Sequence, residues 1–300
     1  MNTTFLKKYL SILILLTISM HINAHPTGNL IQVGKYLLWS YIDPLDDVMH
    51  HACVMIWSEG SKPRVLINSE YPSSDYMLSA NDETIYLIER CFFQASQSFQ
   101  IRLLKMKIDE QPQVIWDWIE DKWRIGEGGF FMLSDDQMVF ASYPSVYSIK
   151  KGQVPHKLFE FKGAVNRLRA VDKNKILLLG DSSCWLVNHI GTIIHQWENL
   201  IDPKVTNPPL NRNRIFDVDY KDQQLLIAYW GKRTFETIDK NDLRSSILQQ
   251  KEPLTPHWVT YYNNTMMLFS SRLTFNNNES PRPLLLQYDK QKKMREIWTD

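Results

Sequence analysis

The chain has 300 residues, 44% of them hydrophobic and 12% aromatic, with 34 Lys and Arg against 33 Asp and Glu. That is enough apolar mass for a folded core, so a disordered chain is excluded, and the balanced charge offers no basic surplus for nucleic acid and no acidic tail. Three cysteines exclude a disulfide-dense scaffold and allow at most one bond.

At the N-terminus, Lys7 and Lys8 precede an uncharged apolar run from Leu10 to Met20, and Ile22-Asn23-Ala24 sets a small residue before His25. A bilayer crossing takes roughly 20 residues, and this run is shorter. The layout predicts a secretory signal peptide over residues 1–24, cut after Ala24; a retained anchor is the alternative. The mature domain over 25–300 is then expected in the periplasm or outside the cell, with no membrane span after cleavage. Cleavage exposes His25, whose amine and ring can chelate copper with His50 or His51, although the plainer reading is that the cut simply falls there. His50-His51-x-Cys53 has metal-ligand residue types, but adjacent strand residues point to opposite faces, so no metal site is expected. Cys53 and Cys91 are the pair that can bond, with Cys184 left over; both lie in strand-like runs, where burial as thiols serves equally well.

From Leu30 onward one unit repeats. Leu30–Val33 meets Gly34 and then Tyr36–Trp39. Leu78–Ala80 meets Asn81-Asp82 and then Thr84–Leu87, and Met132-Leu133 meets Asp135-Asp136 and then Met138–Phe140. Arg169–Val171, Val218–Tyr220 and Val259–Tyr262 each run into an Asx turn followed by Ile176–Leu179, Leu225–Ile227 and Met266–Phe269. Asx and Gly there supply the positive φ of tight hairpins. Most units close on an aromatic strand: Val114–Trp118, Leu158–Phe161, Ile193–Trp197 and Arg295–Trp298, with Val65–Ile67 a weaker version, and their tryptophans are expected to pack between units.

Six turns spaced about 46 residues apart match the ~46 residues per unit obtained by dividing the mature chain by six. Four short strands per unit cannot bury both faces of one sheet, whereas radial stacking can. The expected fold is therefore all-β, a six-bladed β-propeller of four-stranded antiparallel blades; an array of two-sheet sandwiches is the alternative.

Ile215–Tyr220, running on to Leu225–Ile227 and Thr237–Asp239, resembles the bacterial arylsulfate sulfotransferase family. So does Leu254–Val259, followed by Met267–Phe269 and Leu286–Asp289, and the strand ends Ile115–Trp118 and His195–Glu198 look like that family's blade ends. The likeness spans roughly residues 113–300. It implies a periplasmic six-bladed propeller in which a His attacks sulfur and carries a sulfuryl group from one phenol to another, while further His and an Arg neutralise the oxygens.

Carried over position by position, the nucleophile matches His257. A second His falls on Arg214 with its neighbouring Asn on Phe216, the Arg falls near Trp230, and a His pair falls near Asn166 and Arg167. One of these four positions keeps its chemistry. Arg167, Arg214 and Arg272 still offer forked donors for an anion. There is no Gly-rich phosphate loop, nucleophile-elbow Ser or zinc-protease helix, and no cofactor is expected. The residues thus predict a binding module for a small anionic or aryl ligand, or a protein partner, at the propeller funnel. Aryl sulfotransfer through His257 is the alternative, favoured if two or more Arg converge on that imidazole.

Overall fold

The computed structural model describes residues 28–42, 51–125, 127–159, 163–202, 214–272 and 282–299. The expected leader, His25 and His50 lie outside them.

Among the described residues, twenty-four strands form six four-stranded antiparallel sheets, each built from strands consecutive in the chain. Blade 1 is β1 (Leu30–Val33), β2 (Tyr36–Ile42), β3 (Ala52–Trp57) and β4 (Arg64–Asn68). Blade 2 is β5 (Ser74–Asn81), β6 (Thr84–Phe93), β7 (Ser98–Met106) and β8 (Gln113–Glu120). Blade 3 is β9 (Phe130–Ser134), β10 (Gln137–Ser142), β11 (Ser145–Lys150) and β12 (His156–Phe159). Blade 4 is β13 (Val165–Asp172), β14 (Lys175–Gly180), β15 (Cys184–Asn188) and β16 (Ile193–Trp197). Blade 5 is β17 (Ile215–Lys221), β18 (Gln224–Tyr229), β19 (Thr234–Asp239) and β20 (Arg244–Gln249). Blade 6 is β21 (Leu254–Tyr262), β22 (Thr265–Arg272), β23 (Arg282–Tyr288) and β24 (Met294–Thr299). The chain is a six-bladed β-propeller, and all six turns read from the sequence join the first and second strands of a blade.

The core is a ring of interfaces. Six apolar clusters pair blades 1 and 2, 2 and 3, 3 and 4, 4 and 5, 5 and 6, and 6 and 1. This explains why second strands read as continuous apolar runs and not as alternation. Ile176–Gly180 and Leu225–Tyr229 are buried at every position because each face meets a different blade. Outer strands face water, and β8 is buried fully only at Trp116.

Trp116 and Trp197 stitch neighbouring blades: their indole N–H groups donate to the Asp135 carbonyl at 2.9 Å and the Asp239 carbonyl at 3.4 Å. Trp118 departs from the expected packing between blades. It lies at the outer edge of blade 2 against Tyr71 and Phe93, under the Arg102 guanidinium. Gly129, at φ +84°, lets blade 3 approach blade 4, since a Cβ there would stand 2.2 Å from the Leu168 carbonyl oxygen. Cys53, Cys91 and Cys184 are buried thiols, so no Cys53–Cys91 bond forms.

The ring closes where blade 6 meets blade 1, and no described blade mixes strands from the two ends of the chain. Trp39 packs on Trp298 and Trp57 on Tyr262. The Tyr262 hydroxyl donates to the Lys35 carbonyl at 2.7 Å, and Asn263 N–H donates to the Gln32 side chain at 3.2 Å.

Candidate functional site

The first strands β1, β5, β9, β13, β17 and β21 surround a central channel. They run the same way along it, as the matched links from Asp217 to Val259 and from Asp219 to Tyr261 show. The channel therefore has one mouth where these strands begin and another where they end.

At the entry mouth, three successive blades share a local irregularity. The ladder skips one residue between Val165 and Arg167, between Ile215 and Asp217, and between Pro256 and Trp258. Asn166, Phe216 and His257 are the extra residues. A β-bulge bends its strand and re-aims the side chain it frees. Here it sets three side chains from blades 4, 5 and 6 at equivalent depth.

The Phe216 ring is the hub of this mouth. The His257 ring meets it edge-on with centroids 4.8 Å apart. The Arg214 guanidinium lies 5.1 Å from its centroid and that of Arg167 lies 5.8 Å away. Arg214 also lies 5.1 Å from the Trp230 ring, and Trp230 N–H donates to the Arg214 carbonyl at 3.0 Å. Three of the five residues singled out in the sequence, Arg167, Arg214 and His257, thus gather around one phenyl ring, and a fourth, Trp230, meets Arg214 beside it. Arg272 closes β22, and its side chain is outside what is described.

Their exposure differs. His257 is only 7% exposed, under Phe216, whereas Arg214 is exposed. Both arginines contact the phenyl ring, which itself contacts the imidazole. Trp230 holds a buried indole N–H with no acceptor among the described residues. Arg167 also donates to Asp217 Oδ1 at 3.3 Å, which fixes its head group at the channel wall.

Deeper in, sequence reasoning missed a buried charge cluster. Arg169 reaches across the channel from blade 4 and donates to the Leu30 carbonyl of blade 1 at 3.0 Å and to Asp217 Oδ2 at 2.9 Å. Its other terminal nitrogen lies 3.4 Å from Asp219 Oδ1. Asp217 also accepts from Val259 N–H at 3.1 Å, and Asp219 from Tyr261 N–H at 2.7 Å. The signal was the Asp217-Val218-Asp219 alternation, which puts two acids on one strand face, matched by the Arg167–Arg169 alternation in the preceding blade.

Beyond Arg169, a cavity of about 720 Å³ opens at the exit mouth, away from the residues singled out in the sequence. Among the described residues no group of three His, Cys, Asp or Glu is placed to hold a metal, and no helix is long and apolar enough to cross a membrane.

No family model matches the chain, and no curated protein matches it. Solved structures do. Virginiamycin B lyase from Staphylococcus aureus, in a catalytically inactive form with quinupristin, superposes with a TM-score of 0.50 at 8% identity, covering 92% of this chain and 85% of that one. The selenomethionine-substituted lyase gives 0.50 at 9% identity over 82% and 92%. A nidogen/laminin complex gives 0.48 at 13% identity over 75% and 78%. At these identities the lyase structures speak to the propeller fold alone.

Proposed function

We propose that the chain is an exported binding module whose entry mouth holds a small aryl anion. The exposed Arg214 guanidinium, set 5.1 Å from both the Phe216 and Trp230 rings, is the observation that supports it. A cation steadied by two aromatic faces presents charge without burying it. It suits a ligand with a flat ring for the aromatics and an oxyanion for the forked donors of Arg214 and Arg167. Export rests on Lys7, Lys8 and the apolar run to Met20, with cleavage after Ala24.

The likeness to arylsulfate sulfotransferases extends to the ligand and not to turnover. A nucleophilic imidazole has to reach sulfur, and His257 is buried beneath Phe216. The family's remaining His positions are held here by Arg and Asn, and Arg does not exchange protons near neutral pH. Loss of one preorganised donor typically lowers a rate by about 10²–10³.

The test uses the chain purified from the periplasm, where an intact mass starting at His25 is expected. Titration with phenyl sulfate is expected to give saturable binding that weakens about tenfold in Arg214→Ala, with no release of 4-nitrophenol from 4-nitrophenyl sulfate in the presence of a phenol acceptor. Equal binding by Arg214→Ala counts against the module. Sulfuryl transfer that vanishes in His257→Ala would make the protein an enzyme.

A further inference from the structure

The strands of each blade alternate in direction, so the turn from third to fourth strand lies on the same side as the exit mouth, at the rim of the propeller. That rim gathers most of the exposed apolar surface. Ten large hydrophobic side chains are exposed among the described residues, and seven of them stand in these outer turns or in the first two residues of the strand that follows. They are Val114 in blade 2, Val154 in blade 3, Ile190, Ile193 and Ile194 in blade 4, Leu243 in blade 5 and Met294 in blade 6. Val154 is 76% exposed, Ile190 69% and Leu243 63%. The other three, Phe99, Ile119 and Tyr143, lie toward the entry side. Apolar residues scattered singly over a surface are ordinary, whereas their collection on one rim marks a contact surface.

Cations accompany them. Lys150, Lys151 and Lys157 flank Val154, all three exposed and with no acid between them. Lys290, Lys292, Lys293 and Arg295 surround Met294, beside Asp289 and Glu296. Blade 5 is balanced, and blade 4 holds no Lys, Arg, Asp or Glu from residue 188 to 196. The acids of this face gather elsewhere, at Asp82, Glu83, Asp109 and Glu110 of blade 2 and at the inner turn Asp135-Asp136 of blade 3. The arc of outer turns over blades 3 to 6 is thus both apolar and basic.

The spacing of these side chains selects the occupant. A folded protein partner binds through a contiguous, water-excluding centre, and here the anchors belong to separate blades. A bilayer surface takes separate anchors presented on one face, and anionic headgroups meet the lysines beside them. We propose that the outer turns of blades 3 to 6 dock the propeller on an anionic phospholipid surface, with Val154, Ile190, Leu243 and Met294 entering the interface. The chain then lies on the membrane, and the proposal does not depend on the aryl-anion reading of the entry mouth.

Co-sedimentation of the full mature chain with vesicles tests it, using phosphatidylcholine alone and phosphatidylcholine mixed with phosphatidylglycerol. The chain is expected to sediment with the mixed vesicles, and less so with phosphatidylcholine alone or at high salt. Leu243→Ser and Met294→Ser are each expected to weaken binding about tenfold, and Lys292→Gln about fivefold. Tyr143→Ser, on the entry side, and Arg214→Ala are expected to bind as wild type does. All these side chains but Arg214 are read as exposed rim or turn positions, so thermal midpoints of their variants are expected to match wild type, which separates lost docking from lost folding. A chain that stays in the supernatant with both vesicles overturns the proposal. So does full binding by both Leu243→Ser and Met294→Ser, or a loss in Tyr143→Ser as large as theirs.

Discussion

Asp217 is 1% exposed and carries more of the channel than any other carboxylate described at the entry mouth. It accepts from Arg169 at 2.9 Å, Arg167 at 3.3 Å and Val259 N–H at 3.1 Å, and so ties blades 4, 5 and 6 together at one side chain. Removing one partner of a buried ion pair leaves the other charge desolvated, typically at a cost of about 3–5 kcal/mol. Asp217→Ala is therefore expected to lower the unfolding free energy measured in urea by that amount, and Asp217→Asn, which keeps an acceptor, by less. Matching midpoints for Asp217→Ala and wild type would mean that Asp219, 3.4 Å from Arg169, already suffices. Glu89 repeats the arrangement in blade 2, where it is 0% exposed and accepts from Arg102, Ser69 and Tyr76. Its carboxylate adds to burial in pushing the Tyr76 phenol upward.

Among the elements, the six inner hairpins reach the same connection by two routes. Gly34, Asp82, Asp222, Gln223 and Asn263 take positive φ, as their residue types suggested, apart from Gln223. The Asp135-Asp136 and Lys173-Asn174 turns do so at no position; their blades instead show a register shift beside the turn. In the left-handed region a β-branched residue is strained by about 1–2 kcal/mol. Asp222→Val, at φ +50°, is expected to lower stability by that much, while Lys173→Val in the equivalent turn stays within about 0.5 kcal/mol. Equal losses in chemical denaturation would argue against the two-route account. The same scale decides the site. The bulges at Asn166, Phe216 and His257 are what bring these positions to one mouth, and nothing in a single strand's residues marks where its partner will skip a register.

For the molecule as a whole, stability depends on closing a ring between segments more than 200 residues apart, as in the bond from Tyr262 to Lys35. Every blade buries both faces against neighbours, so opening one seam uncovers two apolar faces at once. Tyr262→Phe keeps the ring packed on Trp57 and removes only the hydroxyl, which donates to the Lys35 carbonyl and accepts from Glu59 N–H at 3.3 Å. It is expected to lower stability by about 1–3 kcal/mol while unfolding remains a single transition. An early partial transition in calorimetry would show blades 1 and 6 separating before the rest.

Local chemistry alone determined the blades. Apolar runs of five to nine residues between Asx or Gly turns make strands wherever they lie, and six of them at one spacing leave stacking around a ring as the way to cover both faces. The candidates Arg167, Arg214, Trp230 and His257 were read instead from the resemblance to arylsulfate sulfotransferases, carried over position by position. Tertiary structure alone decided what those residues touch. Phe216, read in the sequence only as a departure from a family's Asn, covers the His257 imidazole and stands beside both arginines. Arg169, read as the start of a hairpin, crosses the channel to blade 1. Both outcomes depend on the distance between blades. That distance is set by the packing of six interfaces together, and no repeat contains it by itself.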